Sequence, residues 1–317
     1  MSVFTPVTRR SLEPFLAGYD VGPLVNFHGI SEGVENTNYF VDTRDGQFVL
    51  TLFERLDYEQ LPYFLGLMDH LNQHGVPTPA PRRTRDGALS QPLLGKPAAL
   101  VDRIPGIGVA DASAQQCAAV GQALARLHTD GQGFDGHRPP DRSTDWWQTT
   151  ARALHSHLAA DERELLDDEL AFQASVNRSA LPTGVIHADL FPDNAFFVRH
   201  KLSAIIDFSF ARNDLLAYDP AICLNARCFE ADSAFNVTKS RALTTAYNAV
   251  RPLEPAEIEA LPVLCRGASL RFLLTRLHDW LRVPEGALVT PKDPRAYLER
   301  LRFHRGVRRA SEYGLAL

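Results

Sequence analysis

The densest chemistry in this chain lies in Val185-Ile186-His187-Ala188-Asp189-Leu190-Phe191-Pro192-Asp193-Asn194. The segment fits H-x-D-x-x-x-x-N, which places a carboxylate and a carboxamide on one loop. Downstream, Asp207 ends the run Ala204-Ile205-Ile206. The apolar run Ala195-Phe196-Phe197-Val198, the polar turn Arg199-His200-Lys201 and the apolar run to Ile206 predict a hairpin. That hairpin would return the chain and set Asp207 beside Asn194. A carbonyl oxygen and a carboxylate would then converge, as binding of Mg²⁺, a hard cation that bridges phosphates, requires. Asp189 would orient an acceptor hydroxyl and take its proton. A carboxylate of ordinary pKa, about 4, is already ionised at neutral pH. The chemistry implied is transfer of the γ-phosphoryl group of ATP, driven by positioning and charge neutralisation. His187 reads as a brace for the loop.

A second set lies upstream, in Gly29-Ile30-Ser31-Glu32-Gly33-Val34-Glu35-Asn36-Thr37-Asn38. It sits between two strand-like runs and is not a full G-x-G-x-x-G. Gly29 and Gly33 would let the backbone approach phosphate, while Ser31, Asn36, Thr37 and Asn38 would donate hydrogen bonds. Asp102, just before the expected hinge at Pro105-Gly106, joins this nucleotide-binding set.

The elements that must position these groups follow from periodicity. Runs at 24–27, 38–41 and 48–53, with Asp45-Gly46 between the last two, predict an antiparallel sheet. A helix is expected over 57–74, with Leu61, Phe64, Leu65, Met68 and Leu71 on one face, ended by Gly75 and Pro77. Two short strands follow, near 88–94 and 97–103. Beyond them the chain turns helical. Ser113 and Gln116 make a capping box ahead of Val120, Leu124 and Leu127. Further helices are expected near 144–158, 161–176, 218–230, 237–249, 255–281 and 294–313, with a short sheet within 184–210. The expected fold is α+β and protein-kinase-like, with two lobes. Residues 1–103 would form an N-terminal ATP-binding lobe, and 104–317 a mainly helical lobe for catalysis and acceptor binding.

Composition narrows the field. The net charge of −5 over 317 residues, with an isoelectric point near 6.1, argues against nucleic-acid binding. No apolar run is long enough to span a membrane, and Met1 to Pro6 lacks the pattern of a secretory leader. Cys117, Cys223, Cys228 and Cys265 show no paired spacing and read as reduced, buried thiols. A cytoplasmic location is expected. The acidic run 161–170 reads as a solvated helix face, or alternatively as a wall for a polycationic substrate.

The segments around Val185 to Asn194 and Ile205-Ile206-Asp207-Phe208 resemble the aminoglycoside-phosphotransferase-like kinases. A closer resemblance, to the homoserine kinases of that fold, rests on four further segments. They are Gly33 to Phe40, Phe48 to Glu54, Ile222-Cys223-Leu224-Asn225, and Leu270-Arg271-Phe272-Leu273-Leu274-Thr275-Arg276-Leu277. It implies Mg²⁺- and ATP-dependent phosphorylation of the L-homoserine hydroxyl, a step towards threonine. One departure from wider kinases is that Thr51 stands where a phosphate-gripping Lys is expected. Phe64 or Leu65 stands near the place of its Glu partner, with Glu59 and Asp69 off that register. Joint absence leaves no stranded buried charge.

A zwitterionic acceptor needs a cationic fork for its carboxylate and oxygens for its ammonium. Arg271 and Arg276, in an apolar helix, fit the first role, with an ion pair to Asp219 or Asp279 as the alternative. Asp189 and Asn225 are assigned to the second. An aminoglycoside, choline or methylthioribose acceptor, or an inactive nucleotide-binding scaffold, are the competing readings. A choline acceptor would favour an aromatic cage, for which Trp146-Trp147 is the candidate. The sequence leaves monomer and homodimer equally open.

Overall fold

The computed structural model describes residues 4–30, 36–54, 56, 58–281 and 293–315. It divides into two compact units. The first comprises Met1–Gly106 with Phe134–Gly136 and Ser203–Ser209, and the second takes the remainder. The sequence reading put a single boundary after residue 103 and did not include the two later insertions into the first unit.

In the first unit, β1 (Leu24–Gly29), β2 (Thr37–Thr43), β3 (Gln47–Leu52), β4 (Gln91–Leu93) and β5 (Lys96–Asp102) form an antiparallel sheet in the order β1-β2-β3-β5-β4. The Asp45-Gly46 turn closes with a Thr43 N–H to Gly46 carbonyl bond of 2.9 Å. Strand alternation gives the sheet two unlike faces. Tyr39, Val41, Phe48, Leu50, Leu52, Ala98 and Leu100 pack with Leu12, Phe15 and Leu16 of α1 (Arg9–Leu16). On the other face, Ala99 packs with Leu61 and Leu65 of α2 (Leu61–Gln73). Helix α1 has no counterpart among the sequence expectations. Its Thr8 side chain caps the Ser11 N–H, yet the helix is a single short stretch with Pro14 inside it, which hides its period.

The second unit holds α3 (Ala114–Asp130), α4 (Thr144–Leu154), α5 (Ala160–Ser175), α6 (Tyr218–Arg227), α7 (Val237–Asn248), α8 (Pro255–Trp280) and α9 (Arg295–Gly306). The Ser113–Gln116 capping box opens α3 as expected. Helices α3 and α7 approach so closely that a Cβ on Gly121 would lie 2.1 Å from the Leu243 carbonyl oxygen, so only glycine fits there. The helix expected over 294–313 is interrupted. Val307 is extended, and Ala310–Tyr313 forms a separate 3₁₀ turn.

Short strands complete the structure. Strand β7 (Thr183–Ile186) pairs antiparallel with β10 (Arg212–Leu215), and β6 (Ile107–Gly108), β8 (Ala195–Val198) and β9 (Lys201–Ile205) form a sheet in the order β6-β8-β9. The expected hairpin is therefore formed. All four cysteines are free and buried. Among the described residues, no helix is long and apolar enough to cross a membrane.

Candidate active site

The loop after β7 is held by buried groups on both sides. Asp219, at the start of α6 and wholly buried, accepts the His187 N–H at 2.6 Å and the Ala188 N–H at 2.7 Å. It also accepts from His128 Nε2 at 3.0 Å, and the other His128 ring nitrogen meets the Tyr247 hydroxyl at 2.7 Å. Burial alone would raise the Asp219 carboxyl. The His128 hydrogen bond and the charges of His128 and His187 outweigh it and hold the group below the usual carboxylate range.

From the opposite side, Arg271 of α8 donates Nη1–H to the Ala188 carbonyl at 2.6 Å. Ala188 is thus gripped by an anion at its N–H and a cation at its C=O. Ala188 needs such a grip, because it sits at φ 64° without being glycine. That conformation costs on the order of 1–3 kcal/mol unless its surroundings enforce it.

The strained turn delivers Asp189 to a partly exposed position. Its own N–H goes to His187 Nδ1 at 3.2 Å, which gives His187 the bracing role expected of it. Asn194 Nδ2 donates to the Asp189 carbonyl at 2.8 Å and to its carboxylate at 3.2 Å. Because both partners are oxygens, the amide must present nitrogen to them. Asn194 Oδ1 is then the atom left for a cation. In the first unit, Asp207 is exposed at φ 62°, and the Ser209 N–H (3.3 Å) and hydroxyl (2.6 Å) both engage its Oδ1. One further carboxylate oxygen remains. Oxygen-only donors of this kind suit Mg²⁺, which keeps several waters and takes one or two protein ligands.

The upstream set separates. Ser31 and Gly33 lie outside the described residues. Gly29 ends β1, paired with Tyr39. Asn36 Oδ1 accepts the Glu54 N–H at 3.4 Å. Asn38 and Thr51 are register partners, and the Thr51 hydroxyl donates to Asn38 Oδ1 at 2.8 Å. They share the face of Ala99, so a neutral pair stands where the Lys was sought. Among the described residues, the amide nitrogen of Asn38 has no partner. The positions considered for its Glu partner, Phe64 and Leu65, are buried and apolar, and Asp69 is ion-paired with Arg83.

Thr37 requires a correction. It lies one residue away, hence on the opposite face, fully buried, and its hydroxyl donates to Glu54 at 2.6 Å while accepting from the Phe4 and Thr5 amides. That network, completed by the Lys96–Glu54 pair, is structural. The Asp102 carboxylate is likewise engaged, by Arg82 Nε at 2.6 Å.

The acceptor assignments also need revision. Asn225 is wholly buried. Its Nδ2 bonds the Ala221 and Cys265 carbonyls at 3.0 and 3.1 Å, and its Oδ1 takes the Ser269 hydroxyl at 2.6 Å. Every polar atom is matched, so it ties α6 to α8 and has nothing to offer an ammonium. Asn225→Ala should therefore destabilise the fold by about 2–3 kcal/mol in urea unfolding, by stranding the buried Ser269 hydroxyl and two carbonyls. Arg271, with no exposed surface, stands behind the loop and not against an acceptor. Neither it nor Arg276 pairs with Asp219 or Asp279: Arg276 donates to the Asp293 carbonyl at 3.0 Å and is partly exposed. Sequence reasoning named Asp219 only as an alternative partner for the arginines and did not name His128, so the part both play in holding the loop was missed.

The model of the phosphotransferase enzyme family matches residues 26–253. Homoserine kinase from Azorhizobium caulinodans is 54% identical over the whole of both chains, and that from Xanthobacter autotrophicus 52%. The chain belongs to the phosphotransferase enzyme family, among its homoserine kinases. It is a small-molecule kinase. The fold is that of an amicoumacin kinase solved with AMP-PNP and Ca²⁺ (TM-score 0.68, 15% identity, 94% of this chain and 92% of that one). It is also that of a spectinomycin phosphotransferase (TM-score 0.68, 14% identity, 98% and 99%).

Two features weighed for other acceptors of this family find structural uses. In the acidic run on α5, Asp161 pairs with Arg302, Asp167 with His155, Asp168 with Arg305 and Glu169 with Arg266. Trp147 is buried against Ala151, Leu154, Leu270 and Leu274, while Arg142 lies over the Trp146 ring. Neither an acidic wall nor an aromatic cage results.

Proposed function

We propose that this kinase transfers the γ-phosphoryl group of ATP to the side-chain hydroxyl of L-homoserine, giving O-phospho-L-homoserine on the way to threonine. The observation that carries the reading is the gripped loop presenting Asp189 with Asn194 bonded to it, in a chain about half identical to homoserine kinases along its full length. Asp189 holds the acceptor hydroxyl and takes its proton as the new O–P bond forms and the bond to the β-phosphate oxygen breaks. Asn194 and Asp207 would hold Mg²⁺, which would supply charge neutralisation at the phosphates. Asn36, Asn38 and the backbone at Gly29 serve the nucleotide. Arg276, the acceptor-side cation that keeps some exposure, serves the α-carboxylate. Four free, buried thiols fit a reducing cytoplasm.

ADP release with Mg²⁺-ATP, tested separately with L-homoserine, choline, kanamycin and methylthioribose, decides the acceptor. Turnover confined to L-homoserine supports the reading, and turnover on another acceptor alone sinks it. Asp207→Ala should weaken Mg²⁺-ATP binding by roughly tenfold or more, since a charged ligand of the metal is lost. Calorimetry with unchanged nucleotide affinity would remove Asp207 from the metal site.

A further inference from the structure

Tyr297, on α9, is wholly buried. Two guanidiniums lie over its ring: Arg276 of α8, 4.5 Å from the centroid, and Arg300 of α9, at 4.6 Å. Among the described residues neither forms an ion pair with a carboxylate, and Arg276 gives one N–H to a backbone carbonyl. Burial, and after it the adjacent Arg300 charge, pull Arg276 below the ordinary arginine range.

This cationic corner adjoins the catalytic loop. Phe191, next but one to Asp189, packs edge-on against Phe272 with ring centroids 4.8 Å apart, and Phe272 lies 5.4 Å from Tyr297.

Two like charges held over one ring repel each other and give up hydration, and an anion would relieve both. Cation–π contact with the Tyr297 ring accounts for the position of each guanidinium, but it leaves two adjacent positive charges without an anion. A carboxylate is planar and accepts in-plane bonds from guanidinium forks. We propose that Arg276 and Arg300 together bind the α-carboxylate of the amino-acid acceptor. The inference rests on the reading of this chain as a kinase of L-homoserine, and it adds Arg300 to the site.

The probe is the pair L-homoserine and 3-aminopropan-1-ol, which differ only by the carboxylate, titrated calorimetrically into the full chain with Mg²⁺ and AMP-PNP present. Wild type should prefer L-homoserine by on the order of a hundredfold. Arg300→Gln should weaken L-homoserine by on the order of 30-fold and leave 3-aminopropan-1-ol within about twofold. A wild type without preference, or an Arg300→Gln variant that weakens both probes in equal proportion, would overturn the proposal. ADP release is read in parallel with ATP. Tight, carboxylate-dependent binding without turnover would sink the kinase reading while leaving the carboxylate site standing.

Discussion

Asp189→Asn is expected to lower kcat by at least roughly a hundredfold while fold and ATP affinity stay near wild type. The substitution keeps the shape of the side chain and removes its charge and basicity. The loop does not depend on that charge. Its amides are held by Asp219, its Ala188 carbonyl by Arg271, and the residue's own N–H by His187. Asn194 bonds the Asp189 carbonyl, which the variant retains, and an amide oxygen can replace the lost carboxylate contact. Reactant positioning should survive, so KM for either substrate should move by no more than a few fold, and the loss should fall on kcat. A coupled ADP assay gives kcat, and calorimetry with circular dichroism checks nucleotide binding and fold. Near-normal turnover would remove Asp189 from the role of base.

The sequence disclosed this loop because its chemistry is local: the acid, the amide and the strand before them lie within one short segment. What grips the loop was not legible. Asp219 opens α6, and His128 ends a helix far upstream, so only the tertiary structure brings them to the His187 and Ala188 amides. Arg271 was legible as a charge in an apolar helix, hence one needing compensation, but the sequence could not show that its partner is a carbonyl of the strained turn. The assignment of Thr37 beside Asn38 to one phosphate-binding row could have been refined without coordinates. Neighbours in a strand point to opposite faces, so only one of the two could serve. In the fold, the strongly patterned strands and helices appeared where periodicity put them. Helix α1 escaped because Pro14 and its brevity mask the apolar repeat, and the break at Val307 escaped because α9 and the following turn are both rich in arginine.

Arg271→Met should separate activity from stability. Arg271 carries one good hydrogen bond, while its Nε and Nη2 are buried without partners, and burial pulls the guanidinium down to about 10. Its aliphatic stem and the Phe272 ring, 4.6 Å from its Cζ, make a site in which methionine can pack. Removing the charge relieves an unfavourable desolvation, whereas stranding the Ala188 carbonyl costs about 1–3 kcal/mol. The two oppose each other, so the net change in unfolding free energy should stay within about 2 kcal/mol in either direction. Catalysis has no such compensation. Without the cation, the φ 64° turn at Ala188 is restrained from the Asp219 side alone, and a displacement of Asp189 by about 1 Å can cost on the order of a hundredfold. The expected loss in kcat is therefore roughly 10- to 100-fold, with the affinity ratio between L-homoserine and 3-aminopropan-1-ol unchanged. A selective rise in KM for L-homoserine would instead make Arg271 a ligand of the acceptor carboxylate, reached only when the loop opens. A kcat effect shared by both acceptors fixes it as the residue that positions Asp189, and leaves recognition of the carboxylate to the far end of α8 and to α9.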